Sequence, residues 1–163
     1  MPDRVKGKTL IASDEGDDAD GVTIKLYSDE TNGAVSIIEQ PFEPGLLLPP
    51  HVHQNDVWLY ILKGEMHVRV ADEIVYATTG SWVMKPRRVP HTMWNAGAET
   101  ARLIEVYTPG GFELFFKDFG DRLRQGPVGI DELNVLGAKH GIRFFDDWIA
   151  ELKAAYNVRV VGE

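Results

Sequence analysis

The feature that most constrains the fold is a series of eight short β-rich runs between residues 23 and 107. Turn residues such as Lys63-Gly64 and Thr79-Gly80 separate these runs. Many short strands without intervening helices are typical of all-β sandwiches and barrels, so the pattern predicts an all-β core. The predicted strands are 23–27, 34–39, 57–62, 65–70, 73–77, 81–84, 91–95 and 101–107.

The apolar period changes from two residues to about 3.6 after Pro109. One helix face is predicted by the spacing of Phe112, Phe115, Phe116, Phe119 and Leu123. Further helices are predicted at 131–140 and around 145–156, followed by a strand at 157–161. We therefore expect a single domain over 1–163, with a barrel core at about 22–108 and a helical tail at about 111–156 that covers the barrel or a subunit interface.

Charge and composition exclude several classes of function. The chain of 163 residues has 25 acidic and 17 basic residues, a net charge of -8 and no cysteine. Nucleic acid and membranes are therefore not expected as partners, and thiolate sites are excluded. Residues 1–18 lack the apolar region of a secretory signal, and no later run reaches the ~20 apolar residues of a membrane span, so we predict a cytoplasmic protein. The acidic residues 14–20 are interpreted as a solvated loop.

Two histidines stand one residue apart on a segment expected to be extended. His51 and His53 point to the same face there, because side-chain direction repeats every second residue in a strand. Pro49-Pro50 stiffens the backbone that leads into the pair. His91 opens a later strand, which an antiparallel arrangement brings opposite the pair. Such histidines are either metal ligands or ordinary hydrogen-bonding side chains.

These segments resemble the two sequence motifs of the cupin superfamily. The first motif, G-x5-H-x-H-x3-E-x6-G, is matched by Gly45, His51, His53 and Gly64. The second, G-x5-P-x-G-x2-H-x3-N, is matched by Gly80, Pro86, His91 and Asn95. The resemblance implies an all-β double-stranded β-helix, a jelly-roll barrel, with one divalent metal ion held by the three histidines. The chain with its tail is similar to quercetin-dioxygenase-like single-domain cupins.

Two residues depart from these motifs. Val57 stands where the first motif has its metal-binding glutamate, and Arg88 stands at the middle glycine of the second. Asp56 is adjacent to the glutamate position, but a shift of one residue on a strand turns a side chain to the opposite face unless a bulge intervenes. Three neutral imidazoles then leave the ion's charge uncompensated and favour an anionic oxygen ligand. We expect Fe(II), with Ni, Mn, Cu or Zn as alternatives.

Strand parity indicates which side chains surround this site. An apolar pocket is predicted from Val57, Leu59, Ile61 and Met93. Packing between sheets is predicted for Trp58, Tyr60 and Trp94, which have the opposite parity. An apolar pocket suits a small hydrophobic, aromatic or enolic molecule with few polar groups.

Other titratable residues fall into two groups. Glu105 lies in the apolar run 103–107, so it is either an inward base or substitute ligand or a residue at the barrel rim. Tyr107 has the same parity and either donates a hydrogen bond into the cavity or packs. His67 is expected at the surface, and His140 at a helix end, so neither is expected to bind metal.

Together these features predict a metal-dependent dioxygenase that uses O2 and a small oxyanionic substrate such as an enol, diketone, catechol or flavonol. One alternative is a non-oxidative lyase or isomerase, in which Glu105 or Tyr107 moves a proton. Another is a non-catalytic cupin that binds a small molecule. We also expect a homodimer.

Overall fold

A computed structural model describes residues 9–163, so residues 1–8 of the predicted single domain lie outside the described residues. The strands are β1 (Asp17–Ala19), β2 (Val22–Leu26), β3 (Ser36–Phe42), β4 (Leu46–Leu47), β5 (His51–Val52), β6 (Asp56–Lys63), β7 (Glu65–Val70), β8 (Glu73–Thr78), β9 (Trp82–Lys85), β10 (His91–Trp94), β11 (Ala101–Thr108), β12 (Arg143–Phe144) and β13 (Arg159–Val160). The helices are a 3-10 turn (Ser28–Thr31), α1 (Glu113–Leu123), α2 (Ile130–Ala138) and α3 (Ile149–Tyr156).

The strands form two sheets that face each other. The first sheet has the order β1-β2-β3-β11-β6-β9. The second has the order β12-β5-β10-β4-β13, with β7 also paired to β10 and β8 paired to β7. Burial alternates along β11 and β6, because successive side chains in a strand point to opposite faces. The core between the sheets is apolar and includes Leu59, Ile61, Met66, Val68, Met93 and Leu103.

The sheets do not close into the predicted barrel. Among residues 9–163, β9 pairs only with β6 and β8 pairs only with β7, so the edges of the two sheets are not joined by a ladder. A groove of about 520 Å³ lies there, lined on its two sides by residues that include Tyr76 of β8 and Trp82 of β9. The fold is therefore β-rich, and its two sheets remain open along this edge.

Two further sequence expectations are corrected by the sheets. The predicted acidic loop contains strand β1, whose Ala19 is buried. Trp58 does not pack between the sheets, because it lies on the outer face of the first sheet with 45% of its surface exposed. Tyr60 contacts Trp82 there, with ring centroids 4.7 Å apart. Trp94 is fully buried, as expected for packing, but its apolar neighbours include residues of α3.

The helical tail packs on the strands through its aromatic face. Phe112, Phe115 and Phe116 are buried in one cluster with Val57 and Tyr107 of the first sheet. Helix α3 covers a different part of the strands through Leu152, which lies in the cluster of Trp94. The tail therefore covers the strands, one of the two alternatives that its aromatic spacing left open. No helix within residues 9–163 has the length and apolarity that crossing a membrane requires.

Candidate metal centre

Three histidines meet where β5 and β10 pair. His51 is directly opposite His91 in the antiparallel register, and His53 follows two residues later. The ring centroids of His51 and His91 are 4.4 Å apart, and those of His53 and His91 are 4.8 Å apart. One ring nitrogen from each residue lies within 4.8 Å of the other two. The structure thus brings the three predicted ligands together.

Backbone carbonyls orient two of the rings. His51 Nδ1 lies 2.8 Å from the carbonyl oxygen of Pro49, and His91 Nδ1 lies 2.9 Å from that of Val89. Each of these carbonyls belongs to the residue before a proline and two residues before the histidine. Proline fixes its own φ and restricts the preceding residue to extended backbone, which holds the carbonyl in place. Nδ1 then carries the proton and donates it, and the Nε2 lone pair is left for another partner.

An unpaired nitrogen supports metal binding at this point. His91 Nε2 is buried and has no hydrogen-bond partner among the described residues. An unsatisfied buried polar atom costs free energy, and a cation bound to Nε2 would remove that cost. The donor set therefore fits a divalent ion.

His53 is held differently from the other two rings. Its Nδ1 accepts a long hydrogen bond of 3.3 Å from the backbone N–H of Asn55. In that state the neutral ring carries its proton on Nε2. Metal binding through Nε2 of His53 would therefore replace this proton at the expense of one weak hydrogen bond.

Burial keeps all three imidazoles neutral. His51 is 4% exposed, and His53 and His91 are each 1% exposed. Desolvation lowers the pKa of His51 to about 4 and that of His53 to about 2. Desolvation also lowers the pKa of His91 well below its usual range, and the neighbouring imidazoles and the Lys85 charge act in the same direction. Neutral imidazole is the form that binds metal, so the site needs no deprotonation at pH 7.

A buried ion pair lies beside the histidines. Lys85 Nζ contacts Glu105 Oε1, and each side chain is only 2% exposed. Glu105 Oε2 accepts a hydrogen bond of 2.7 Å from the Tyr107 hydroxyl and one of 3.4 Å from Gln40 Nε2. Glu105 is therefore an inward residue, and the alternative of a rim position is wrong. Burial, together with the Glu105 charge, raises the pKa of Tyr107 well above its usual range, so the hydroxyl remains a donor.

Lys85 was missed by the sequence argument. It has the same parity as Val83 and the opposite parity to the exposed Trp82, which together would have indicated an inward side chain. Strand register places Lys85 on one side of Val57 and Tyr107 on the other. The position of the motif glutamate is therefore flanked by a cation and a phenol. The inner face near Val57 therefore carries these polar groups beside the predicted apolar side chains.

The four predicted pocket residues separate into two places. Val57 is fully buried beside Tyr107 and Phe112, whose cluster reaches the histidines. The other three pack in the apolar core between the sheets, where side chains surround them: Leu59, Ile61 and Met93. Of the four, Val57 is therefore the one next to the candidate centre.

Asp56 lies on the outside of the first sheet. Its carboxylate accepts hydrogen bonds of 2.8 Å from both the backbone N–H and the Nη2 of Arg87. These hydrogen bonds lower the pKa of Asp56. Arg88, which replaces the motif glycine, has a φ of 62°, the left-handed conformation that glycine adopts readily. The substitution at residue 88 thus keeps the backbone shape that the motif requires.

Aromatic side chains from the tail cover the histidines. The Phe112 ring centroid is 4.7 Å from that of His53. Phe144 of β12 lies opposite His51 in the register, with ring centroids 5.5 Å apart. The spacing of the phenylalanines predicted a buried helix face, but nothing in it indicated that the face would cover this site.

The remaining two histidines lie outside the cluster. His67 is half-buried rather than at the surface, because its ring stacks on Trp94 and Tyr156 of α3 also packs against it. Its ring centroid is 5.4 Å from that of Trp94. His140 follows α2, and its Nε2 is 2.7 Å from a carboxylate oxygen of Asp118. Each has a different set of partners from the three clustered residues.

Comparisons with known proteins match this fold. The family model for the cupin domain matches residues 39–107, a range that contains all three clustered histidines. An RmlC-like cupin from Shewanella frigidimarina has a TM-score of 0.54 at 19% identity, covering 68% of this chain and 98% of that chain. A protein from Thermotoga maritima, described as a predicted oxalate decarboxylase, has a TM-score of 0.51 at 20% identity, covering 54% of this chain and 78% of that chain.

A further solved structure is more similar in sequence. A Thermus thermophilus protein is 31% identical over 47% of this chain and 74% of that chain, with a TM-score of 0.45. No curated protein matches the sequence.

Proposed function

Because the cupin-domain family model matches residues 39–107, we propose that this chain is a cupin and a metal-dependent oxidoreductase of the dioxygenase type. Its substrate would be a small oxyanionic molecule, such as an enol, diketone, catechol or flavonol. The observation that carries the proposal is the cluster of His51, His53 and His91, with the unpaired buried Nε2 of His91. We propose these residues as the ligands of Fe(II), with Ni, Mn, Cu or Zn as compatible ions.

The ligand set determines the kind of substrate. A divalent ion held by His51, His53 and His91 would supply a Lewis acid for a bound oxyanion and O2. The three imidazoles are neutral and contribute no negative charge. A chelating oxyanion is favoured, since it provides the charge that a carboxylate ligand would otherwise bring.

Aromatic residues shield the candidate metal centre from water. Phe112 and Phe144 pack against the rings of His53 and His51 and exclude water from them. In a site from which water is excluded, electrostatic interactions are stronger than at the surface. Tyr107 remains protonated and holds Glu105 through its hydroxyl. Access of substrate to this covered site would require the tail aromatics to move.

A second candidate is a metal-dependent lyase or isomerase. The buried Lys85–Glu105 pair favours it, because a carboxylate and an ammonium group beside the centre are suited to moving a proton. Glu105 would accept a proton from the carbon next to a bound carbonyl, and Tyr107 would orient the carboxylate.

Metal reconstitution tests both candidates. The protein is stripped with a chelator, loaded with each ion in turn, and assayed by elemental analysis and O2 uptake with diketones, catechols and flavonols. We expect a single ion per chain. It should be retained in the His67→Ala control and lost in His91→Ala, because His91 belongs to the cluster and His67 does not. Turnover without O2 uptake would select the second candidate. A stable ion with no turnover would indicate a binding protein, and absence of any bound ion would refute the metal site.

A further inference from the structure

Glu105 is a carboxylate buried near the three histidines but engaged elsewhere. One oxygen contacts Lys85, and the other accepts hydrogen bonds from Tyr107 and Gln40. It is not part of the group of converging ligand atoms, which contains only histidines among residues 9–163. A buried carboxylate with this many partners is fixed in position.

We propose that Glu105 can act as a fourth metal ligand and that its ion pair with Lys85 prevents it from binding at the three-histidine centre. The inference rests on the proposed metal site. While Lys85 is paired with Glu105, the ion would bind three neutral ligands, and the pair would add no net charge beside it. Lys85 therefore sets how firmly the centre binds its ion.

Strand register shows why this arrangement is available. Val57 of β6 lies between Lys85 of β9 and Tyr107 of β11. Strands β9 and β11 are therefore separated by β6. Val57 has no polar group that could pair with Lys85, and the Lys85 ammonium group contacts Glu105 instead. A glutamate at residue 57 would instead place a carboxylate directly beside Lys85.

The charges of Lys85 and Glu105 affect the affinity of the centre for a cation in opposite directions. Tyr107 links the pair to the centre, because its ring centroid is 6.2 Å from that of His53 and its hydroxyl donates a hydrogen bond of 2.7 Å to Glu105. Glu105 and its partner Lys85 are therefore close enough to influence a bound cation. Removing Lys85 alone leaves Glu105 with only its neutral partners Tyr107 and Gln40, so its negative charge is uncompensated near a doubly charged ion. Removing both groups restores a neutral surrounding. Charge interactions at this range in a protein interior are large enough to change affinity by about tenfold or more.

The test is a double-mutant cycle with Zn²⁺ as the probe. The dissociation constant is measured by chelator competition for the wild type, Lys85→Met, Glu105→Gln and the double variant. We expect Lys85→Met to bind Zn²⁺ about tenfold or more tightly, Glu105→Gln to bind no more tightly than the wild type, and the double variant to return close to it. Lys63→Met, which removes an exposed lysine from the same sheet, is the matched control and should leave binding unchanged.

Cobalt spectra supply a readout that a purely structural role would not move. The Co²⁺ absorption of Lys85→Met should differ from that of the wild type because an oxygen ligand is added, and the double variant should lose this difference. If Lys85→Met does not fold, Lys85→Gln makes the same prediction while keeping a hydrogen-bond donor for Glu105. A folded Lys85 variant with unchanged or weaker Zn²⁺ binding overturns the inference. Failure of the wild type itself to bind Zn²⁺ would remove the metal site as well.

Discussion

Acidification should destabilise the metal-free protein steeply between pH 7 and pH 5. His51, His53 and His91 are buried and neutral, and burial lowers the pKa of His51 to about 4. In the unfolded chain a histidine has a pKa near 6.5. The unfolded state therefore binds protons that the folded state does not. The stabilisation is complete above the unfolded pKa and is lost as the pH falls towards the folded pKa.

The size of the loss follows from the pKa difference. Over this interval an unfolded histidine takes up about three-quarters of a proton, while His51 in the folded state stays mostly neutral. Each such residue costs about 2 kcal/mol between pH 7 and pH 5, and the three together cost about 6 kcal/mol. That is a large part of the ~5–15 kcal/mol by which a typical domain is stable. Ordinary carboxylates titrate near pH 4, so they contribute little in this window.

Urea unfolding in the presence of a chelator measures this loss at pH 7, 6 and 5. His51→Leu should remove about a third of the pH dependence, because it deletes one of the three buried groups. His67→Gln is the comparison, since His67 is only half-buried and should remove a smaller share. A wild-type stability that changes by less than about 1 kcal/mol would refute the reasoning, as would an unaltered slope in His51→Leu.

Three further predictions concern the site and its surroundings. Val57→Glu should slow loss of the metal ion by placing a carboxylate at the motif position, and unchanged retention would show that residue 57 does not face the ion. Phe112→Ala should cost about 3–5 kcal/mol in urea unfolding, because its ring packs on His53, whereas Phe112→Leu should cost less. We propose that the predicted homodimer uses the exposed Trp58 and Trp82, so replacing both with Ser should shift the mass in sedimentation to that of a monomer.

Local sequence patterns predicted the longer strands and the three α-helices, but not the short strands β1 and β12. Alternation of apolar residues along β11 and β6 indicated which side chains face inward, and the structure buries Leu59, Leu103 and Tyr107 accordingly. The phenylalanine spacing likewise predicted α1. Periodicity works for these elements because burial of one face repeats at the geometric period of the strand or helix.

Periodicity did not indicate what each face packs against. Trp58 has the right parity for an outer face, but only the tertiary structure shows that no element among residues 9–163 covers it enough to bury it. His67 has the same kind of outer position on the second sheet, and there the tail does cover it. The difference arises from where the helices dock, which is set by contacts distant in sequence.

The sequence by itself determined the three histidines and the strands that hold them, because the spacing of His51 and His53 and the second motif at His91 are local features. Only the tertiary structure revealed the Lys85–Glu105 pair beside them. These residues stand 20 positions apart on β9 and β11, which are not neighbouring strands but flank β6. Strand order and register decide which buried charges meet across a sheet, and no pattern confined to one strand contains that information.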